Sequence, residues 1–210
     1  MPQQDRYVKR LVSIEFEADE KFTRLPSPER VSLVLFSNGA GRFELNGKDV
    51  ALNAPCMLLI SHYDKIMLVE SAALSAASFH FSPMFLNSSL TFKRLAHNSL
   101  REPEDEHDRN MLNMFLLRDK GWDGAIELSQ QAYLRISEWF KIIGAETCTQ
   151  SDSYWPCRIR RYLLQTLFLL NDYYMNRVIS INLHKRKNGG GVFRIALSNI
   201  CTRTTPTTSR

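Results

Sequence analysis

Around Ser82-Pro83 the hydrophobic period of the chain changes from two to between three and four, and this switch constrains the fold more than any other feature. Upstream, Val12, Ile14 and Phe16 alternate with polar or charged neighbours, as a half-buried strand requires. A longer apolar run over 31–36 ends at Ser37-Asn38-Gly39. Residues 42–45 and 48–52 flank Asn46-Gly47, and a two-residue type I′ turn needs the positive φ that this pair tolerates. Asn38-Gly39-Ala40-Gly41 lies between two strand runs, so it reads as a hairpin turn and not as a phosphate loop. Runs at 56–60, 66–69 and 77–81 supply three more strands. Short strands with no helical period between them predict an antiparallel barrel or sandwich.

Downstream, 84–95 reads as a short helix or irregular connection, and the acidic run from Glu102 to Asp108 as a solvated helix start, favoured there by the helix dipole. A helix over 105–118 would bury Met111, Leu112, Phe115 and Leu116. A second, N-capped by Asp123, would carry Ile126, Tyr133, Ile136, Phe140 and Ile143 on one stripe. The third opens at Ser153-Tyr154-Trp155-Pro156 with Pro in its first turn, and its apolar residues from Ile159 to Tyr174 cover two faces. Two bulky faces predict burial on two sides, one of them against another subunit. Lys185-Arg186-Lys187-Asn188-Gly189-Gly190-Gly191 reads as a flexible basic linker. The expected organisation is α+β: an antiparallel barrel over 7–100, a helical unit over 101–176 and a basic, mobile tail over 177–210.

The net charge of +5 invites a nucleic-acid reading until it is split by position. Beyond Asp172, the last acid, lie Arg177, Lys185, Arg186, Lys187, Arg194, Arg203 and Arg210, so the preceding 172 residues are slightly acidic. The basic character belongs to the tail and not to the body. The N-terminus shows no signal peptide, and the apolar stretch at 162–170 is too short to span a bilayer, so no membrane partner is expected. Four scattered cysteines without a C-x-x-C pair suggest neither a disulfide scaffold nor zinc, and a reducing cytoplasm is the expected location.

Three passages then resemble one family. They are Gly39-x-Gly41-x-Phe43-x-x-Asn46-Gly47 leading to Leu58-Leu59-Ile60, the run from Phe79-His80-Phe81-Ser82-Pro83 to Leu86, and Trp155-Pro156-Cys157-Arg158-Ile159-Arg160-Arg161-Tyr162. In this order and spacing the chain resembles, over about 7–176, the N-terminal effector-binding and dimerisation half of AraC-family transcription regulators. The resemblance implies a cupin-like barrel that binds a small effector, such as a sugar or an aromatic acid, and helices that pair two subunits into a homodimer. It also implies two helix-turn-helix modules, for which the 34 residues after Asn176, with their triple glycine, leave no room. The chain is therefore expected to be a shortened or frame-shifted product that meets DNA only through a domain it lacks.

Candidate chemistry is sparse. His62 and His80 do not form the His-x-His pattern of a metal-binding cupin, so no metal or cofactor is expected. His62, in Ser61-His62-Tyr63-Asp64, sits at a strand end, at a pocket rim or in a solvent-facing turn. His80 points away from Phe79 and Phe81, into a cavity or into solvent. Cys56 reads as core filling. The expected ligand-binding residues are Arg42, Glu44, His62, Tyr63 and His80, with residues 6–10 as a lid; Arg42 and Glu44 share one face and could equally form a surface charge pair. The expected dimer interface is Ile136, Phe140, Leu163, Leu167 and Leu170, on helices over 123–145 and 156–176. The expected function is non-enzymatic sensing. The alternatives are a small metal-dependent cupin enzyme and a ligand-free dimerisation module.

The charge split predicts weak, salt-sensitive, sequence-independent DNA affinity, lost on deleting residues 184–210. Fluorescence anisotropy of a random duplex across a salt series measures it, and tight or salt-insensitive binding would contradict it.

Overall fold

The computed structural model describes residues 3–97, 103–118 and 122–188. Among the described residues, eight strands and five helices follow one another as β1 (Gln3–Gln4), β2 (Leu11–Val12), β3 (Ile14–Glu17), β4 (Val31–Leu45), β5 (Lys48–Asn53), β6 (Cys56–Ile60), β7 (Ile66–Phe81), α1 (Pro83–Leu86), α2 (Phe92–His97), α3 (Pro103–Leu116), β8 (Ala125–Glu127), α4 (Gln130–Thr149) and α5 (Trp155–Asn188). The class is α+β. The main sheet is antiparallel and runs β3-β7-β4-β6-β8, with β5 also paired to β4. Its ends, β3 and β8, do not pair with each other, so the sheet is open and the expected barrel is not closed.

The centre of the sheet is the β4–β7 ribbon, paired from Val31↔Phe81 to Leu45↔Ile66. The Asn46-Gly47 turn forms as expected, with both residues at positive φ and Leu45 facing Lys48. The hairpin expected at Asn38-Gly39-Ala40-Gly41 does not form, because β4 runs straight through it. Register shifts between Phe36 and Ala40 bulge the strand there instead. Gly39 makes the bulge possible: its φ is +77°, and a Cβ would lie 2.3 Å from the Ala73 carbonyl oxygen. The bulge also changes which residues face inward. Phe36 before it and Phe43 after it lie in the same core with ring centroids 5.7 Å apart, although a strict alternation would put them on opposite faces.

Each face of the sheet carries a core. On one, Val34, Phe36, Phe43, Leu45, Leu58 and Ile60 pack under the loop that brings in Phe22 and Leu25. On the other, Leu33, Leu35, Met57, Leu59, Phe79 and Phe81 join residues of α3, α4 and α5. This second core runs across the expected domain boundary at 100/101, so sheet and helices share it.

The expected helix over 105–118 is α3, with Met111, Leu112 and Phe115 buried and Leu116 half-buried. The next helix starts later than expected. Ser129, not Asp123, caps α4 by accepting from the Ala132 amide, and Ile126 belongs to β8, paired with Met57. Gly124 is the reason: at φ +87° it turns the chain so closely onto β6 that a Cβ would sit 2.5 Å from the Leu59 carbonyl oxygen. Helix α5 extends to Asn188, past the break expected after Asn176 and into the expected linker. The mobility expected of 189–210 falls outside the described residues. Residues 3–10 are not a lid; they clasp the α4–α5 corner. Gln150 accepts from the Arg6 amide at 2.9 Å and donates to the Gln4 carbonyl at 2.8 Å, while the Tyr7 hydroxyl donates to the Gln150 carbonyl at 2.8 Å.

An ion pair between half-buried Arg118, just past the end of α3, and buried Asp64 ties this helix to the sheet. Arg118 donates to Asp64 at 2.7 and 3.1 Å and to the Leu59 carbonyl at 2.7 Å. Asp64 also accepts from the Ser61 amide and from Asn46 of the hairpin turn. Removing Arg118 would leave the Asp64 charge buried and without its counter-ion. Arg118→Ala should therefore lower the unfolding free energy by about 3–5 kcal/mol. Arg42→Ala, which breaks only an exposed pair, should cost less than about 1 kcal/mol. Urea unfolding of both variants tests the contrast, and equal losses would contradict it.

Candidate functional site

The five expected ligand residues do not converge. Arg42 and Glu44 are exposed because the bulge turns Phe43 and Leu45 inward. Arg42 lies 3.8 Å from Asp49 and 3.4 Å from Glu70, a surface charge cluster. His62 and Tyr63 occupy the β6–β7 loop, where the His62 ring lies 3.9 Å from that of Phe92 and Tyr63 is largely exposed. Burial pushes the His62 pKa below its ordinary value, against the opposing pull of Glu29 and Asp64. His80 is elsewhere again, buried in β7 on the face opposite the helices.

Around His80 the sheet holds a polar network in an otherwise apolar surface. The period of two puts Ser78 and His80 on one face, and the β4–β7 register sets Ser32 beside His80. The Ser78 hydroxyl donates to Glu20 at 2.5 Å and lies 2.8 Å from His80 Nε2. Since its single proton goes to Glu20, Ser78 accepts from Nε2–H. On the other side of the ring, Nδ1 lies 2.7 Å from the Ser32 hydroxyl. Glu20 also accepts from the Phe22 amide at 2.6 Å. Burial opposes the Glu20 charge, but the His80 ring at 3.7 Å, the Ser78 hydroxyl and the Phe22 amide outweigh it and hold the pKa below the usual carboxylate value.

The network floors a cleft of about 460 Å³ lined by Glu15, Glu17, Asp19, Glu20, Lys21, Arg24, Ser27 and His80. Its wall charges are already paired: Arg30 with Glu15 at 2.7 Å, Lys21 with Asp19 at 2.5 Å, and Arg24 within 3.7 and 3.9 Å of Glu15 and Glu17. The arrangement is not a nucleophile relay. Ser78 shares the Nε2 side of the ring with Glu20, and Ser32, which lies across the ring on Nδ1, is buried like Ser78, so neither hydroxyl lines the cleft where a substrate would meet it. Among the described residues no three His, Cys, Asp or Glu side chains gather as a metal-ligand set. Cys56, buried in the sheet, has its thiol pushed up to about 12 by burial and by nearby Glu127.

Ser78 carries a local signal, since a serine two residues from a histidine shares its strand face. Glu20 and Arg30 carry none, because only the loop over 18–30 brings them to the sheet. The expected dimer residues are not at a surface: Ile136, Phe140, Leu163, Leu167 and Leu170 are all buried in the chain's own core against the sheet. No family model and no curated protein matches the chain.

Because folding lowers the Glu20 pKa, its contribution is present above the unfolded-state pKa and is lost as pH falls through the folded one. Glu20→Gln should cost about 1–3 kcal/mol near neutral pH by uncovering the His80–Ser78 pair. The difference from the parent should shrink on acidification as the carboxylate protonates. Urea unfolding at several pH values between neutral and acid checks this; a pH-independent difference would contradict it.

Proposed function

We propose that the protein is the small-molecule sensing and dimerisation unit of an AraC-type transcription regulator and is not itself an enzyme. The observation that carries this reading is the cleft over His80. It is a preformed, polar pocket with an excess of carboxylates, on the sheet face opposite the helices. Paired wall charges and fixed hydroxyl and imidazole groups suit a neutral polyhydroxylated ligand such as a sugar. A free aromatic carboxylate would instead meet Glu15, Glu17, Asp19 and Glu20. The strands that hold Ser32, Ser78 and His80 on one face carry Leu33, Phe79 and Phe81 on the other, against the helical core. A ligand that prefers one arrangement of the cleft can thereby shift the population of helix positions.

Dimerisation in this reading uses the outer face of α5. Phe168, Met175 and Ile179, spaced by seven and four, remain about half exposed there, whereas the residues first expected are internal. The resemblance supports a second copy as their cover. Among the described residues no helix is long and apolar enough to cross a membrane.

Sedimentation at micromolar concentration should show a dimer that Phe168→Glu with Ile179→Glu converts to monomer. A mass that this change leaves unaltered would overturn the pairing. In thermal-shift screening, a neutral sugar should raise the melting temperature and Arg24→Ala at the cleft rim should reduce the rise, whereas aromatic acids should give no Arg24-dependent shift. No response to any sugar would overturn the cleft assignment.

A further inference from the structure

On the helix side of the sheet lies a second cavity that the proposed sensor cleft does not use. It is a trough of about 610 Å³ between α4 and the middle of the sheet. Its existence follows from two features. The bulge between Phe36 and Ala40 interrupts the regular β4–β7 ladder beside the trough. Small residues on both sides, Ala76 and Ala77 from the sheet and Gly144 and Ala145 from α4, leave the space unfilled. The floor is apolar, formed by Phe16, Leu35 and Phe140. Gly144 cannot carry a larger side chain in place, because a Cβ would lie 2.5 Å from the Phe16 ring.

The polar side chains of the lining are hydroxyls, one thiol and one cation. Ser137, Lys141 and Cys148 line the trough from α4, separated by four and seven residues and so on one helix face. Lys141 is the charged side chain among the described lining residues, and it is exposed. An apolar cavity with a single exposed ammonium group is complementary to a molecule with an apolar body and one anionic end. The volume falls within the roughly 300–1,000 Å³ of small-molecule pockets.

We infer that the trough between α4 and the sheet is a binding site for an amphipathic monocarboxylate, its hydrocarbon body on Phe16, Leu35 and Phe140 and its carboxylate at Lys141. The hydrocarbon can be an alkyl chain or an arylalkyl group, and the two are distinguished by probe. Occupancy would bridge β3 and β4 to α4. The site is separate from the His80 cleft on the opposite face, so it stands whether or not that cleft binds a sugar.

The full chain is titrated calorimetrically with dodecanoate and with 4-phenylbutyrate, below micelle-forming concentrations, with dodecanol as the uncharged control. Saturable binding of at least one carboxylate is expected, weakened about tenfold by Lys141→Gln, with dodecanol affinity unchanged by the same substitution. The better carboxylate identifies the hydrocarbon class. Ser137→Leu, which fills the trough, should abolish binding; its circular dichroism spectrum and melting curve show whether it is folded.

Cys148 reports the location independently. Both Cys148 and Cys157 are exposed thiols, so maleimide labelling followed by peptide mass spectrometry should show the bound carboxylate slowing modification at Cys148 and not at Cys157. The inference is overturned if neither carboxylate binds saturably, if Lys141→Gln affects carboxylate and alcohol alike, or if a folded Ser137→Leu protein still binds. It is also overturned if Cys148 is protected by raised protein concentration alone, which would mean that a second copy covers the trough.

Discussion

The long antiparallel pairing of β4 with β7 is the constraint on which the other elements depend. Every strand of the main sheet attaches to this ribbon directly or through one neighbour, and both of its faces are covered along the first half of β4. Residues 31–36 are buried without interruption, as befits a strand with a core on each side. At the bulge that follows, the alternation slips and sorts the rest of β4. Phe43 and Leu45 turn inward, while Arg42 and Glu44 turn to solvent. Gly39 is the residue that permits the slip, since it combines a positive φ with a backbone approach that excludes a Cβ.

Polar groups buried in this framework are partnered in two separate knots. Arg118 and Asp64 join α3, the β6–β7 loop and the Asn46-Gly47 turn. The His80 network joins β4, β7 and the loop over 18–30. In each, a charge that would be costly alone is compensated by several directed hydrogen bonds, which also specify how a loop sits on the sheet. The second knot opens onto a cleft, which makes it the candidate binding site.

Much of the architecture was legible in local pattern. Period two through Val12, Ile14 and Phe16, the Asn46-Gly47 turn and the apolar spacing from Ile159 to Tyr174 each describe elements that form. Errors arose where distant chain decided the outcome. Ile126 fits a helical stripe, yet Gly124 packs against Leu59 and turns the segment into an edge strand. Leu163, Leu167 and Leu170 form a convincing stripe, but apolar spacing does not say whether the surface that covers it is the same chain or another copy. Of the expected site residues, His80 alone reached the polar cleft; its partners Glu20 and Ser32 are 60 and 48 residues away in sequence.

The sequence by itself determined the Asn46-Gly47 hairpin, the change from strand to helix near Pro83, and the confinement of excess positive charge to the tail. These depend on neighbours within a few residues, where backbone geometry and side-chain period are decisive. The tertiary structure decided that the sheet stays open, that β4 bulges rather than turns at Gly39, which faces Arg42 and Phe43 take, and that two cavities lie on opposite faces. Those outcomes depend on strand register and on contacts between remote segments. A shift of one residue in register reverses every side chain beyond it, and local periodicity carries no record of where such a shift occurs.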